Sequence, residues 1–446
     1  MTASPALNAA PPAQYANRPR GSPPGQISDR TLMNFLPLVA ITALLHVYIG
    51  ARLLPALGAW AATSGISGLA ALPWLLGIVL VLSALLMPLG LIGSRVTKGP
   101  LANFAHVLTW TGLLFMGLFS TVLVLTAARD VALILLWLVD LAAPGRLPLD
   151  AIRIASAQAV PAVGLLVTAI GFLNARRTAA VVRVDVPIKG LPTALQGFTI
   201  AQLSDIHVGP TIKKAYLQRI VDKVNALDAD AVAITGDLVD GQVPELAEHV
   251  APLSGLRSRH GSFFVTGNHE YYAGAGPWIA ELRRLGLRVL LNEHVVLHHG
   301  KNTGKYIGRK LDVDAQDDSQ MMAPLVLAGV TDFTAHQFDP AHRSDAKAAL
   351  EGAPPASPVR VLLAHQPRSA AAAAEAGFDL QLSGHTHGGQ FYPWNLFVPM
   401  QQPFTAGLNR LNGMWVYTSR GTGYWGPPKR FGAPSEITLV TLVAAR

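Results

Sequence analysis

The sequence predicts a membrane-spanning α-helical bundle followed by a layered α/β domain. Half of the 446 residues are hydrophobic and only 14% are charged, against about 25% in ordinary soluble domains. Four long apolar stretches all fall before residue 178. From about 180 onward, short β-rich runs alternate with helical patterns, the sign of βαβ units. The absence of cysteine excludes disulfides, zinc ribbons and thiol catalysis. A net charge of +8 fits basic loops beside anionic lipid. No arginine-rich stripe with interleaved aromatics marks a nucleic-acid surface, so no nucleic-acid partner is expected.

Residues 1–30 are rich in Pro, Ala, Ser and Gly without periodicity and read as a disordered tail. The first apolar run follows that tail and is too long for a signal-peptide core, so no cleaved signal is expected. Spans are expected near 33–54, 71–93, 104–127 and 157–175, since a crossing needs roughly 20 apolar residues. A fifth run, "VALILLWLVDLAA" (131–143), follows Arg129-Asp130 and could extend the third helix, lie at the interface, or be a span of its own. Four spans place Arg18, Arg20 and Arg30, then Arg95 and Lys98, then Arg176 and Arg177 on one side, the cytoplasm. The expected division is therefore a tail (1–30), a transmembrane domain (31–178) and a cytoplasmic domain (180–446). His46, His106, Arg129, Asp130 and Asp140 lie in or near the spans and are expected to serve inter-helix hydrogen bonding or interfacial placement.

In the second part, "FTIAQLSD" (198–205), "AVAITGD" (231–237) and "SFFVTGN" (262–268) read as strands, with helices over 215–228 and 244–253. Residues 299–321 carry no pattern and read as a surface insertion. The chemistry sits at the strand ends. "SDIH" gives Asp205 and His207; "TGDLVD" gives Asp237 and Asp240; "TGNHE" gives Asn268, His269 and Glu270. Then "VRVLLAHQP" ends in His365, and "LQLSGHTH" in His385 and His387. Layered α/β domains place ligands at the carboxyl ends of their strands. Burying so many polar groups without a partner is costly. Metal ions are the natural partner, and mixed imidazole and carboxylate donors suit Mn, Fe or Zn. On a strand, positions i and i+2 face the same way, so His385 and His387 are both expected to reach one site. Gly384, Gly388 and Gly389 allow the tight backbone beside it.

The ordered blocks D-x-H, G-D-x-x-D, G-N-H-[DE], H and G-H-x-H resemble those of the calcineurin-like metallophosphoesterases over roughly 180–446. That resemblance implies a four-layer α/β/β/α fold and two divalent ions, manganese foremost, with Fe, Zn or Mg as alternatives. It implies one ion on Asp205, His207, Asp237 and His387, and a second on Asp237, Asn268, His365 and His385, so that Asp237 bridges. His269 would face the substrate as general acid, with Asp240 and Glu270 orienting their neighbours; Glu270 departs from the Asp of many relatives. The chain is further similar to a membrane-associated bacterial subgroup that shares "LSGHTHGGQ" and "SRGTGYWGPPKRFGAPSEI" (419–437). In that likeness Arg430 and Lys429 are candidates for pairing with a phosphate, the alternative being a solvated turn. The apolar "FYPWNLFVPM" (391–400) is expected either to dip into the bilayer or line a lipid-acceptor groove, or to pack under the insertion.

The expected function is hydrolysis of a phosphate ester or pyrophosphate on a lipid-linked or nucleotide-linked substrate such as UDP-2,3-diacylglucosamine, at a bacterial inner membrane with the lipid bilayer as partner. General phosphodiesterase or phospholipid and polyprenyl phosphatase activity is the alternative. A membrane sensor or transporter with a regulatory esterase domain is the alternative of another class.

Overall fold

The structure, a computed structural model, describes residues 29–94, 99–300, 322–355 and 357–445. The expected N-terminal tail, the 299–321 insertion, and Arg18, Arg20, Arg95 and Lys98 lie outside these residues, except for the ends of the first two.

Four helices, α1 (Asp29–Thr63), α2 (Leu72–Gly93), α3 (Ala102–Ala142) and α4 (Leu149–Arg176), are long and apolar enough to cross a membrane. The 131–143 run continues α3. No Gly or Pro occurs between Gly117 and Pro144 to end the helix. Arg129-Asp130, which suggested a break, is paired inside the bundle. The Asp130 carboxylate accepts from Tyr48 Oη and Arg52 Nε at 2.7 Å each, and Arg129 Nε donates to Ser156 Oγ at 2.9 Å. His46 Nε2 lies 2.9 Å from Ser83 Oγ, an inter-helix hydrogen bond. α2 and α3 meet at Gly90 and Gly112, where a Cβ on either would lie 2.8 Å from the other's Cα. Only glycine allows that approach. Ile49, Leu53, Leu57, Val122 and Val160 fill the bundle core.

After α4 the period of the apolar residues changes from helical to alternating, and two six-stranded sheets follow. The first joins β1 (Ala180–Ile188), β2 (Thr199–Leu203), β3 (Ala231–Ile234), β4 (Ser262–Phe264), β5 (Arg288–Val289) and β12 (Glu436–Ala444) in the order β1-β12-β2-β3-β4-β5. The second joins β6 (Glu293–His299), β7 (Ala323–Gly329), β8 (Val359–Leu363), β9 (Leu380–Ser383), β10 (Gly407–Leu411) and β11 (Met414–Thr418) in the order β10-β11-β9-β8-β7-β6. β2 through β5 are parallel, as are β11, β9, β8 and β7.

Alternation along each strand makes four layers. Ile200, Ala231, Ala233, Phe263, Leu325, Leu327, Val361 and Leu382 face one another between the sheets. Ala201, Leu203, Val232 and Ile234 point the other way, onto α5 (Lys214–Asn225), α6 (Val243–Val250) and α8 (Ala275–Arg284). Leu362 and Ala328 pack on α9 (Ala370–Ala376). The result is an α/β/β/α sandwich whose parallel strands from both sheets end at one rim.

Candidate metal centre

The predicted residues meet at that rim. Asp205 and His207 follow β2, Asp237 follows β3, and Asn268 and His269 open α7 (Asn268–Ala273) after β4. His365 follows β8, and His385 and His387 follow β9. Donor atoms of Asp205, His207 and His387 lie within 4.8 Å of one another; so do those of His207, Asp237 and His269, and those of Asp237, His365 and His385. Asp237 and His207 each belong to two of these three groups. Asp237 Oδ2 is 3.1 Å from His365 Nε2, 3.8 Å from His269 Nε2 and 4.0 Å from His207 Nε2. None of the other described histidines, His249 and His342 among them, joins such a group.

One expectation needs correction. β9 ends at Ser383, so His385 and His387 do not share a strand face; both lie in the following loop at φ 71° and 51°. Asp205, His207 and Asp237 are also left-handed, at φ 52°, 55° and 51°. Each such residue costs roughly 1–2 kcal/mol, and such strain persists only where the surrounding structure over-determines it. The loops are fixed by short backbone links across the rim. Asp205 N donates to Gly236 O at 3.0 Å, and His385 N donates to both Asp205 carboxylate oxygens at 3.0 Å.

These residues fit metal ions on three counts. Asn268 Oδ1 is buried without a hydrogen-bond partner, a state that native structures rarely leave uncompensated. His207 Nε2 and His387 Nε2 face each other at 3.0 Å, as do His365 Nε2 and His385 Nδ1 at 3.2 Å; a cation satisfies two facing imidazole nitrogens at once. The far sides of two rings are also fixed, as metal-binding imidazoles require. His207 Nδ1 is 2.8 Å from Asp240 Oδ1 and His365 Nδ1 is 2.7 Å from Thr235 O, leaving each Nε2 turned inward.

Asp240 holds a second ring as well, with His269 Nδ1 at 2.7 Å. Burial disfavours a charge on His269, but the carboxylates of Asp237 and Asp240 outweigh it and hold the imidazole up at about 9. Glu270 is fully buried and accepts from three backbone N–H groups: Gly267 at 2.7 Å, Leu238 at 2.8 Å and Asp237 at 3.0 Å. It ties the loop after β3 to the one after β4.

Arg430 and Lys429 lie elsewhere than a phosphate-binding role requires. Arg430 is buried, and its five N–H groups are taken up by the carbonyls of Gly423, His387, Arg420 and Ala433 and by His387 Nδ1 at 2.9 Å. It braces His387. Lys429 Nζ enters the bundle, donating to Gly117 O at 2.9 Å and to the Thr121 hydroxyl on α3. Arg430 N donates to Gly171 O of α4 at 2.8 Å. The apolar 391–400 loop sits against the same helices, with Trp394 Nε1 donating to Ser120 Oγ at 2.9 Å and Leu396 and Met400 68% and 80% exposed. Sequence reading missed Trp425 and Tyr272, whose rings stand 5.9 and 5.2 Å from the His269 ring; the signals were the aromatics inside "GYWGPP" and directly after "NHE".

The profile of the calcineurin-like phosphoesterases matches residues 198–389. A zebrafish (Danio rerio) protein described as a transmembrane protein with metallophosphoesterase domain is 38% identical over 64% of this chain and 62% of its own length. Its bovine (Bos taurus) counterpart is 41% identical over 64% of this chain and 63% of its own. The chain thus spans just under two thirds of these two relatives. An uncharacterized metallophosphoesterase of Aquifex aeolicus is 30% identical over 54% of this chain and 84% of its own length.

Proposed function

The chain belongs to the calcineurin-like metallophosphoesterases, and from that premise we propose that it is a membrane-embedded, metal-dependent phosphohydrolase acting on a phosphate ester or pyrophosphate carried by a lipid. The observation that supports it most is the rim itself: three overlapping groups of His and Asp donors sharing Asp237 and His207, beside cavities walled in part by the apolar helices α1, α2 and α3.

In this reading Asp205, His207, Asp237 and His387 hold one divalent ion, and Asp237, Asn268, His365 and His385 the other, manganese foremost. Such a pair polarises a phosphoryl oxygen and makes water a nucleophile near neutral pH. His269, oriented by its hydrogen bond to Asp240, gives its proton to the leaving oxygen. Asp240 keeps His207 and His269 in register, and Glu270 keeps Asp237 beside Asn268. The catalytic half stands on the cytoplasmic side of a bacterial inner membrane, a placement supported by Arg176 and Arg177 at the end of α4. UDP-2,3-diacylglucosamine is the lead substrate.

The test is hydrolysis of bis(4-nitrophenyl) phosphate and of UDP-2,3-diacylglucosamine by detergent-solubilised protein with Mn²⁺. Expected are nitrophenol from the first and UMP from the second. With His269→Ala the nitrophenyl ester, whose leaving group needs no proton, should lose less activity than an alkyl diester, for which the loss should be about 10²–10⁴-fold, while bound manganese is retained. Failure of the first substrate sinks the phosphoesterase reading; failure of the second alone removes only the lead substrate.

A further inference from the structure

Two cavities reach the candidate metal centre, and their walls differ in kind. One, of about 550 Å³, is bounded by His207, His269, Asp240 and Gln242, with Tyr272 and Trp425 beside them and Leu91 of α2 and Leu113 of α3 on its membrane side. The other, of about 590 Å³, ends on His385 and His387 and is walled on one side by membrane helices, with Leu45 on α1, Leu91 on α2 and Met116 on α3, and on the other by the loop that follows the histidines, with Phe391 and Trp394. Trp425 lines both and stands between them. Each has the size of a ligand pocket rather than a packing gap.

A phosphate monoester would use one such cavity, since it carries a single substituent. A cavity that gathers the ionisable groups beside one that is largely apolar suits a phosphate that carries a polar group on one side and a hydrocarbon chain on the other. Resting on the phosphoesterase reading above, we propose that the substrate is a diester or pyrophosphate of a membrane lipid lying across the metal centre, its chain in the bundle cavity and its polar head against His269, and that hydrolysis frees the head and leaves the phosphate on the lipid. The chain would reach its cavity sideways from the bilayer, between α1 and the 391–400 loop, whose Val398 completes the apolar wall.

The side of cleavage follows from where the acid stands. His269 borders the polar cavity and has no part in the apolar one. The oxygen of water bonds to phosphorus, and the bond from phosphorus to the head-group oxygen breaks. That oxygen takes the proton of His269, and a proton released by the water restores the imidazole. Lipid diester and water thus become lipid monophosphate and the head-group alcohol, with no other reactant.

Two experiments on the full chain in detergent with Mn²⁺ test this. In the first, 4-nitrophenyl alkyl phosphates from methyl to hexadecyl are compared between wild type, Met116→Trp and Leu45→Trp, the bulky rings filling the apolar cavity. Wild-type kcat/KM should rise by about tenfold or more with chain length, as burial of methylenes requires, and both variants should lose that gain, each series being measured against the same protein's methyl ester. A flat series in wild type, or an undiminished gain in both variants, overturns the chain site. Loss of the methyl ester in wild type instead brings down the phosphoesterase reading. In the second, hexadecyl glyceryl phosphate is hydrolysed in H₂¹⁸O. Hexadecyl phosphate carrying ¹⁸O, with free glycerol, is expected. Hexadecanol with glycerophosphate overturns the proposal, and so does no cleavage while the aryl esters still turn over.

Discussion

Replacing Glu270 by glutamine changes one charge and one acceptor at nearly constant volume. In the native arrangement one carboxylate oxygen accepts from Asp237 N and Gly267 N, and the other from Leu238 N. The glutamine amide offers one oxygen. Placed to serve Asp237 and Gly267, it turns its NH₂ toward the Leu238 N–H, donor against donor. One buried N–H is then orphaned, at about 1–3 kcal/mol, and the two surviving bonds lose the strengthening a charged acceptor gives, roughly 1 kcal/mol each. Relief of the buried charge offsets part of this, so the net cost should be about 2–4 kcal/mol. At roughly 2–4 °C per kcal/mol for a domain of this size, Tm should fall by roughly 5–15 °C. Thermal unfolding of the Mn²⁺-loaded protein in detergent reads the shift, and manganese content should fall in parallel because the loops carrying Asp237 and Asn268 lose their tie. A Tm within about 2 °C of wild type refutes the reasoning. Glu270→Ala is the poorer probe: three orphaned donors put its cost at roughly 3–9 kcal/mol, within the whole stability of many domains.

Asp237→Ala should lose both ions, because its carboxylate is shared; two equivalents of manganese by elemental analysis would overturn that assignment. Gly384→Ala should empty the Asp205, His207 and His387 group, since a Cβ there overlaps Ser204 Oγ and the Asp205 carboxylate; unchanged metal content counts against the packing argument. Lys429→Met concerns pH. Burial pushes the Lys429 amine down from 10.5 to about 8, so the unfolded chain binds the extra proton between those values and wild-type stability should rise with pH across that window. Methionine cannot titrate, so the variant's Tm relative to wild type should fall as pH goes from 7 to 10. A constant difference removes the buried amine as its cause.

The strand ends were legible because apolar runs stop at polar residues whose chemistry is specific, and five such stops fall in order. Their conformation was not. Left-handed backbone at Asp205, His207, Asp237, His385 and His387 is imposed by links across the rim such as His385 N to Asp205, and no local pattern announces it. The i, i+2 argument put His385 and His387 at one rim, where the structure also has them, but by a strand geometry they do not have. Arg430 was read from what a guanidinium suits, but burial decides what it meets, and here that is backbone carbonyl and His387. The length of α3 was readable from its missing breakers; Arg129 and Asp130 obscured it because their partners Tyr48, Arg52 and Ser156 lie on other helices.

The pairing of β1 with β12 decides where this chain can be divided. Only three residues separate α4 from β1, and β1 runs parallel to β12 through nine pairs, from Ala180 against Glu436 to Ile188 against Ala444. A fragment begun at residue 198, where the family profile begins, strips that partner away and bares an apolar strand edge, an invitation to aggregate. Begun a few residues before 180, the fragment keeps its edge but leaves Lys429 and Arg430 N without the acceptors that α3 and α4 supply. There is no clean seam between the two halves: whoever wants the α/β half in solution must carry the bundle with it or rebuild its face.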